Sequence, residues 1–529
     1  MVIVPTSRII LLKNPIEVDY MNELTFANKQ AQYNYFYNLP KLECDEATYQ
    51  RKEGVIRFPT DPDMLGTTYD DLIQYNYCMY QNDKWSNKWF YAFVKDVTFD
   101  NPGMCYISIE TDVWQTWCFD ITFKSSFIER EHVNSDNYGE HTIPEGLETG
   151  EYITGYGYDS TAIGTSHIVM GTTISPSDGT TPVTGGVYGG IYSGVQYFVF
   201  QDNLSLNQAL NVIASNGNSN SIVSLFYCPD WITGYTDASF VNGIANVPNT
   251  STVSKSSGIA IPLHPTQIDG YTPKNRKLFV YPYVSYLVSN NSGENITYRL
   301  EDFYYNENTY NSGELHIFGT CTPGASIRLM PKYYKVKNTT LALEFNNEYG
   351  ITGGKYPIAS WGNDTYTNWL TQNAVNIGIN ALTDTVNVLT NPTDTGLLNG
   401  AFGILNSLAE VYQHSFNPIQ ASGNVNSGDV TYSSGKLTFT GYFMTIKNEY
   451  AKIIDQYFSA YGYKVNTYKI PNITGRTNWN YVKTIGCNIV GDIPQTDIEK
   501  IKEIFNNGIT LWHNPTTFLD YSQNNTIIT

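Results

Sequence analysis

Apolar residues recur along this chain with two different periods, and the switch between them divides it. As far as about Val133, short apolar runs alternate with turn clusters: Ile9-Ile10-Leu11-Leu12, then Lys88 to Val94, then Tyr106 to Ile109. In the last of these Tyr106, Ser108 and Glu110 fall on one side and Ile107 and Ile109 on the other, the alternation of a half-buried strand. Asp120 to Val133 continues the pattern and predicts Ile121, Phe123, Phe127 and Val133 as buried beside the charged string Glu129-Arg130-Glu131-His132. From Asn134 to about Lys355 the text turns to Gly, Ser, Thr and Asn, nearly low complexity at Gly171 to Gly194. Strand-like runs persist there at Gln196 to Phe200, Leu278 to Val284 and Leu315 to Phe318, with one helix predicted over Ser205 to Ala214.

The second period is helical. Val375, Ile379, Leu382, Val386 and Leu389 recur at alternating spacings of four and three, and after a turn through Pro392 and Gly396 the series repeats at Leu397, Ala401, Ile404, Leu408 and Val411. Leu398, Phe402 and Leu405 widen the second stripe beyond what a single packing seam requires. These positions lie in a window, Tyr356 to Gly435, that holds no Lys or Arg and only the acids Asp364, Asp384, Asp394, Glu410 and Asp429. Two uses fit: a helical hairpin buried in a bundle or oligomer, or a segment that leaves the protein for a bilayer. Interfacial helices that adsorb to anionic lipid carry Lys or Arg, so simple adsorption is disfavoured and insertion after delivery is not. Beyond Lys436 three elements follow. Asn448 to Tyr461 reads as a helix with Tyr450, Ile453, Ile454, Tyr457, Phe458 and Tyr461 on its apolar face, and Asn478 to Val490 as strand. Thr496 and Glu499 form a capping-box pattern opening a helix with Ile498, Ile501 and Phe505 on one face, which ends at Gly508.

Composition agrees with a mainly β chain. Among 529 residues there are 43 Tyr, and charged residues make up only 15%. That length suits about three or four domains. A formal net charge of -18 argues against a protein that grips phosphates, although DNA could pass an acidic lumen without sticking. The 7 cysteines are scattered with no C-x-x-C pair, which suggests neither a disulfide framework nor a zinc site. No secretory signal is expected from Met1 to Lys13 and no conventional spanning helix anywhere, so a protein folding in a reducing compartment is expected.

Catalytic signatures are weak. Gly155-Tyr156-Gly157 lacks the third glycine of a dinucleotide fingerprint, and Gly164-Thr165-Ser166-His167-Ile168 lacks the closing glycine of a nucleophile elbow. Glu129, Glu131, His132, Glu140 and His141 are metal-ligand types, but a regular strand would place Glu129 and Glu131 together on a solvated face. Trp85, Trp89, Trp114 and Trp117 fall in strand-like runs, where core packing is the default use. No catalytic residue, metal site or cofactor is assigned. An aromatic content of 14% suggests sugar stacking, so binding of cell-wall or receptor glycan is one reading, with peptidoglycan hydrolysis behind it.

Three strings carry a resemblance: Asn87 to Val94, Glu110 to Ile121 with its extension Phe127 to Val133, and Asn507 to His513. With Gly462 to Asn466 and Gly486 to Ile493, they resemble the distal tail-knob (tail tube) protein of small short-tailed bacteriophages of Gram-positive hosts, over roughly the first 150 and last 85 residues. The resemblance implies a non-enzymatic virion protein at the distal end of the tail, assembled in the host cytoplasm. It implies a homohexameric tube whose β-barrel wall is built from residues 1–133 and 436–529, with β-rich insertion over 134–355 and a long hydrophobic loop over 356–435. In such a tube the loops plug the lumen, then emerge and penetrate the host membrane as the genome is ejected. The implied partners are identical subunits, other phage tail proteins, host membrane lipids, and phage DNA in transit without specific binding. The residues that would form the membrane-active loop are Val375, Ile379, Leu382, Val386, Leu389, Leu397, Leu398, Ala401, Phe402, Ile404, Leu405 and Leu408.

Overall fold

The computed structural model describes residues 7–45, 48–50, 54–60, 67–82, 88–160, 166–188, 191–233, 240–248, 254–255, 259–261, 265–291, 293–303, 313–320, 326–335, 345–355, 357–360 and 439–528. They form two compact units, each assembled from separated stretches of chain: Met1–Glu148, Pro273–Leu278 and Glu449–Thr529 in the first, Thr149–Thr272 and Phe279–Asn448 in the second. Strands dominate both, so the mainly β reading holds.

The first unit contains a seven-stranded antiparallel sheet ordered Lys41–Cys44, Ser7–Leu12, Tyr77–Asn82, Trp89–Asn101, Met104–Thr111, Val55–Pro59, Thr48–Gln50. Along Met104–Thr111, Cys105, Ile107 and Ile109 are buried while Tyr106, Ser108 and Glu110 are half-exposed, as the alternation requires. A second sheet is ordered Asn22–Leu24, Ile509–Trp512, Trp479–Ile485, Ser126–Glu131, Tyr463–Lys469. Ile509–Trp512 runs parallel to Asn22–Leu24 and antiparallel to Trp479–Ile485. The N-terminal and C-terminal stretches therefore share one sheet and one core, in which Ile9, Leu11, Phe36, Phe93, Trp479, Phe505 and Trp512 are all buried.

Helices fill the gaps between these layers. Asn448–Tyr461 matches its expected span, but its buried stripe is Ala451, Ile454, Asp455 and Phe458, while Ile453 is 64% exposed. Gln495–Asn507 begins after Pro494, one residue ahead of Thr496, so the expected capping box does not form there. It buries Ile498, Ile501, Ile504 and Phe505 and stops at Gly508, whose φ of 97° is one a side-chain-bearing residue rarely adopts. Trp114 and Trp117 sit on a short helix, Val113–Trp117, rather than on a strand, and both are buried.

The second unit is also strand-built. One sheet joins Tyr152–Ser160, Phe439–Ile446, Val284–Ser289 and Asn295–Tyr298. Another centres on Ser166–Thr172 between Gln196–Phe200 and Ile222–Pro229, and a third on the hairpin Gly313–Thr320 and Ser326–Lys332. The expected helix is present as Asn203–Ser215, capped by Asp202 accepting from the Ser205 amide at 2.8 Å. Leu278 to Val284 is not a continuous strand: Arg276–Phe279 forms a 3₁₀ turn and the strand starts at Val284, after Pro282.

Candidate functional site

Residues 361–438 lie outside the described residues, and with them all twelve positions of the expected membrane-active loop, from Val375 to Leu408. What the described residues offer is a charged seam, an apolar row on one sheet face, a buried carboxylate pair and a cavity, all within the first unit.

The string Glu129-Arg130-Glu131-His132 does not behave as a regular strand. Pairing to both neighbours slips between Ile128 and Arg130, a bulge at Glu129 that breaks the two-residue alternation. Glu131 is therefore fully buried rather than sharing a solvated face with Glu129. Lys469 pairs with Glu131 across the adjacent strand, and the Asn472 amide donates to it at 3.0 Å, while Glu129 pairs with Lys483 at 3.0 Å. Arg130 donates to the Gly462 carbonyl at 2.8 Å and pairs with Glu145, whose other oxygen meets the buried Lys277. Across the seam four cations meet three carboxylates, so its charges are nearly matched. The His132 Nδ1 accepts from the Tyr481 amide at 2.8 Å and its Nε2 faces the Ser459 carbonyl at 3.1 Å. Burial, then the nearby Arg476 charge, pushes His132 down to about 3, so the ring is neutral and carries its proton on Nε2. Each of these groups has a structural partner. Glu140 and His141 are likewise held by Ser135, through its side chain and its carbonyl respectively.

The same bulged strand sets an apolar row. Phe127 is opposite Tyr468 on one neighbouring strand and Ile485 on the other. Directly opposed residues point to the same face. They are 37%, 68% and 58% exposed, respectively. Phe127 was expected in the core, but Ser126 and Ile128 take the inward phase and turn it out. Ile470, beyond the end of Tyr463–Lys469, is exposed as well.

Glu23 and Asp112 are the most unusual acids in the unit, both fully buried. Gln115 Nε2 donates to Glu23 at 2.8 Å, and the other Glu23 oxygen has no hydrogen-bond partner. Tyr77 Oη donates to Asp112 at 2.8 Å, and Asp112 also caps Val113–Trp117 by accepting from the Gln115 amide at 3.0 Å. Burial pushes Asp112 up to about 6, against these hydrogen bonds. Burial and then the Asp112 charge push Glu23 well above the ordinary carboxylate range. Beside this pair lies a cavity of about 540 Å³ bounded by Asp19, Tyr20, Tyr461, Tyr481, Tyr521 and the end of Gln495–Asn507. Sequence reading did not assemble this site: Tyr461 reads as part of a helix's apolar face and Asp112 falls in the string Glu110 to Ile121, but no spacing links them to Glu23, Tyr20 or Tyr521.

Comparison with known proteins assigns the fold. The family described as the C-terminal domain of Bacillus phage phi29 tail knob protein gp9 matches residues 246–526, more than half of the chain. The chain belongs to the tail knob protein family. The Caudoviral major tail protein N-terminus matches residues 5–123. Tail knob protein gp9 of Bacillus phage PZA is 27% identical, across 95% of this chain and 96% of the relative. Tail knob protein gp9 of Bacillus phage phi29 is likewise 27% identical, with the same coverage. The solved structure of bacteriophage C1 tail knob protein gp12 superposes with a TM-score of 0.62 over 99% of this chain and 100% of that one, at 16% identity, a likeness of fold. The chain is thus a structural component of a phage virion, placed at the tail end, and its relatives are structural tail proteins with no catalytic family among the matches.

Proposed function

We propose that the chain forms a homohexameric tail-knob tube through which the phage genome is ejected, and that its charge-poor loop plugs the lumen and then penetrates the host membrane. Residues 1–133 and 436–529 would build the tube wall, 134–355 the attached β-rich part and 356–435 the loop. The observation that carries this reading is the full-length match to tail knob proteins. Two features support it. The exposed row Tyr468, Phe127 and Ile485 gives a sheet face that a neighbouring subunit would cover. The net charge of -18 lets DNA pass without being held.

In the stored state six copies of the segment Val375 to Tyr412 would bury their apolar stripes against one another. Release exchanges protein contacts for lipid at little net cost, since the same apolar area, at about 25 cal/mol per Å², stays out of water in both settings. Asp384, Asp394 and Glu410 oppose insertion while ionised, so acid pH should increase it. The purified chain should appear by electron microscopy as a ring or short cylinder with a central channel; a lone globule would defeat the tube reading. Liposome dye release should fall sharply on deleting residues 384–410, and equal leakage from both forms would remove the loop from the mechanism.

A further inference from the structure

The cavity of about 540 Å³ is made where three pieces of the first unit meet: the turn Val18 to Asn22, Tyr481 on Trp479–Ile485, and the last turn of Gln495–Asn507. Part of its wall is aromatic. Tyr461 and Tyr481 pack edge to face with centroids 5.1 Å apart, and Tyr521 is held against Trp512 at 4.9 Å and Trp479 at 5.2 Å. These rings are therefore fixed in place without the cavity being filled. Gly508 keeps the site open at the helix end: a Cβ there would lie 2.3 Å from Tyr481 Oη.

The rest of the wall is an electronegative helix end. The last turn of Gln495–Asn507 has no basic residue, yet it contributes Glu503 and Asn507 to the cavity. A helix C-terminus already carries partial negative charge, so an acid there is unfavourable unless something donates to it. Among the described residues neither the Glu503 nor the Asn507 side chain takes part in a hydrogen bond or ion pair. Lys95 pairs with Glu110 at 2.6 Å and Lys500 with the same carboxylate, and with Asp19 and Glu503 the lining holds three acids against two lysines. What faces the open space is ring surface together with hydrogen-bond acceptors of negative bias.

We propose that this cavity binds a pyranose sugar that is neutral or carries an amino group, its C–H face on the tyrosine rings and its hydroxyl or ammonium donors on Glu503 and Asn507. A pyranose combines an apolar face with a rim of donors, which is the complement of this wall, and the volume falls within the ordinary range for small-ligand sites. The acids disfavour uronic acids and phosphates. This site is independent of the tube proposal and concerns what the knob recognises rather than how it assembles.

The test titrates the purified full chain with glucosamine, the neutral disaccharide of N-acetylglucosamine, glucuronic acid and a lysine-rich peptide. Saturation-transfer NMR and the fluorescence of Trp479 and Trp512, which touch Tyr521, report binding. Glucosamine and the disaccharide should bind with a Kd of about 1–10 mM, and glucuronic acid should not. Asn507→Ala should weaken both sugars by about 5-fold, the loss of one hydrogen bond. Glu503→Gln should weaken glucosamine by about 5-fold and leave the neutral disaccharide within about 2-fold. Circular dichroism checks that both surface variants are folded. Absence of binding by either sugar up to about 50 mM, equal binding of glucuronic acid, or binding of the peptide alone would each overturn the assignment. Electron microscopy on the same preparation reads ring formation separately.

Discussion

Two acids with no access to water, Glu23 and Asp112, make the first unit sensitive to pH in a definite direction. Their carboxyls are raised in the folded state, so they stabilise it most below the ordinary carboxylate range, and that contribution is lost as pH rises. For Asp112 the loss spans the interval from its usual 3.8 to about 6. Replacing Glu23 with Gln keeps the shape and the contact to Gln115 but removes the neighbouring charge. Glu23→Gln should raise the thermal midpoint at pH 8 and give a smaller gain at pH 5; a calorimetric loss at pH 8 would refute it. His132 acts in the opposite sense, since its lowered value makes the folded state lose stability as pH falls below 6.5 toward about 3. His132→Phe should cost about 1–3 kcal/mol in urea unfolding, because the Tyr481 amide loses its acceptor while the Ser459 carbonyl keeps the Trp479 indole N–H at 3.0 Å. Little at this scale was legible in the sequence. Glu131 read as a surface residue, and only the slip in pairing beside Glu129, a property of three strands together, explains why it is buried.

Whole elements were read more successfully than their orientation. The limits of Asn448–Tyr461 and the stop at Gly508 follow from local signals: an apolar period, and a residue free to adopt positive φ. The phase of the first helix does not, because Asp455, a charged residue, sits in its buried stripe. Its oxygens accept from the Lys274 amide at 2.9 Å, the Asn275 amide at 3.0 Å and Asn275 Nδ2 at 2.8 Å, which fixes the Pro273–Leu278 segment to the helix. Asp455→Ala should therefore destabilise the fold by about 3 kcal/mol and speed proteolysis near Lys274. Ile453→Ala, two positions away and mostly exposed, should change stability by less than about 0.5 kcal/mol. Equal effects from the two substitutions, measured by urea titration, would contradict the assigned face. Phe127 repeats the lesson in a strand: a correct element with its phase inverted shows an aromatic ring to solvent.

For the molecule as a whole, the sequence already pointed to a mainly β chain whose two ends cooperate, because aromatic-rich strings near both ends resemble one family. It could not point to the row Tyr468, Phe127 and Ile485, since these residues become neighbours only through strand pairing. If the row is covered by a neighbouring subunit in the proposed hexamer, Phe127→Asp should leave the isolated chain folded and reduce that assembly by more than about 10-fold, read by size-exclusion chromatography with light scattering. An unchanged hexamer would place the contact elsewhere.

The interleaving of distant stretches in the first unit also has a consequence for timing. Ile509–Trp512 lies between Asn22–Leu24 and Trp479–Ile485, so the sheet that begins near residue 22 cannot close until residues from beyond 500 have been translated. A nascent chain still on the ribosome holds its first 148 residues with part of their core unfilled, while Thr149–Thr272 can already collapse locally. Closure of this sheet therefore waits on residues beyond 500, and a chain released short of them lacks the strand that joins its two ends.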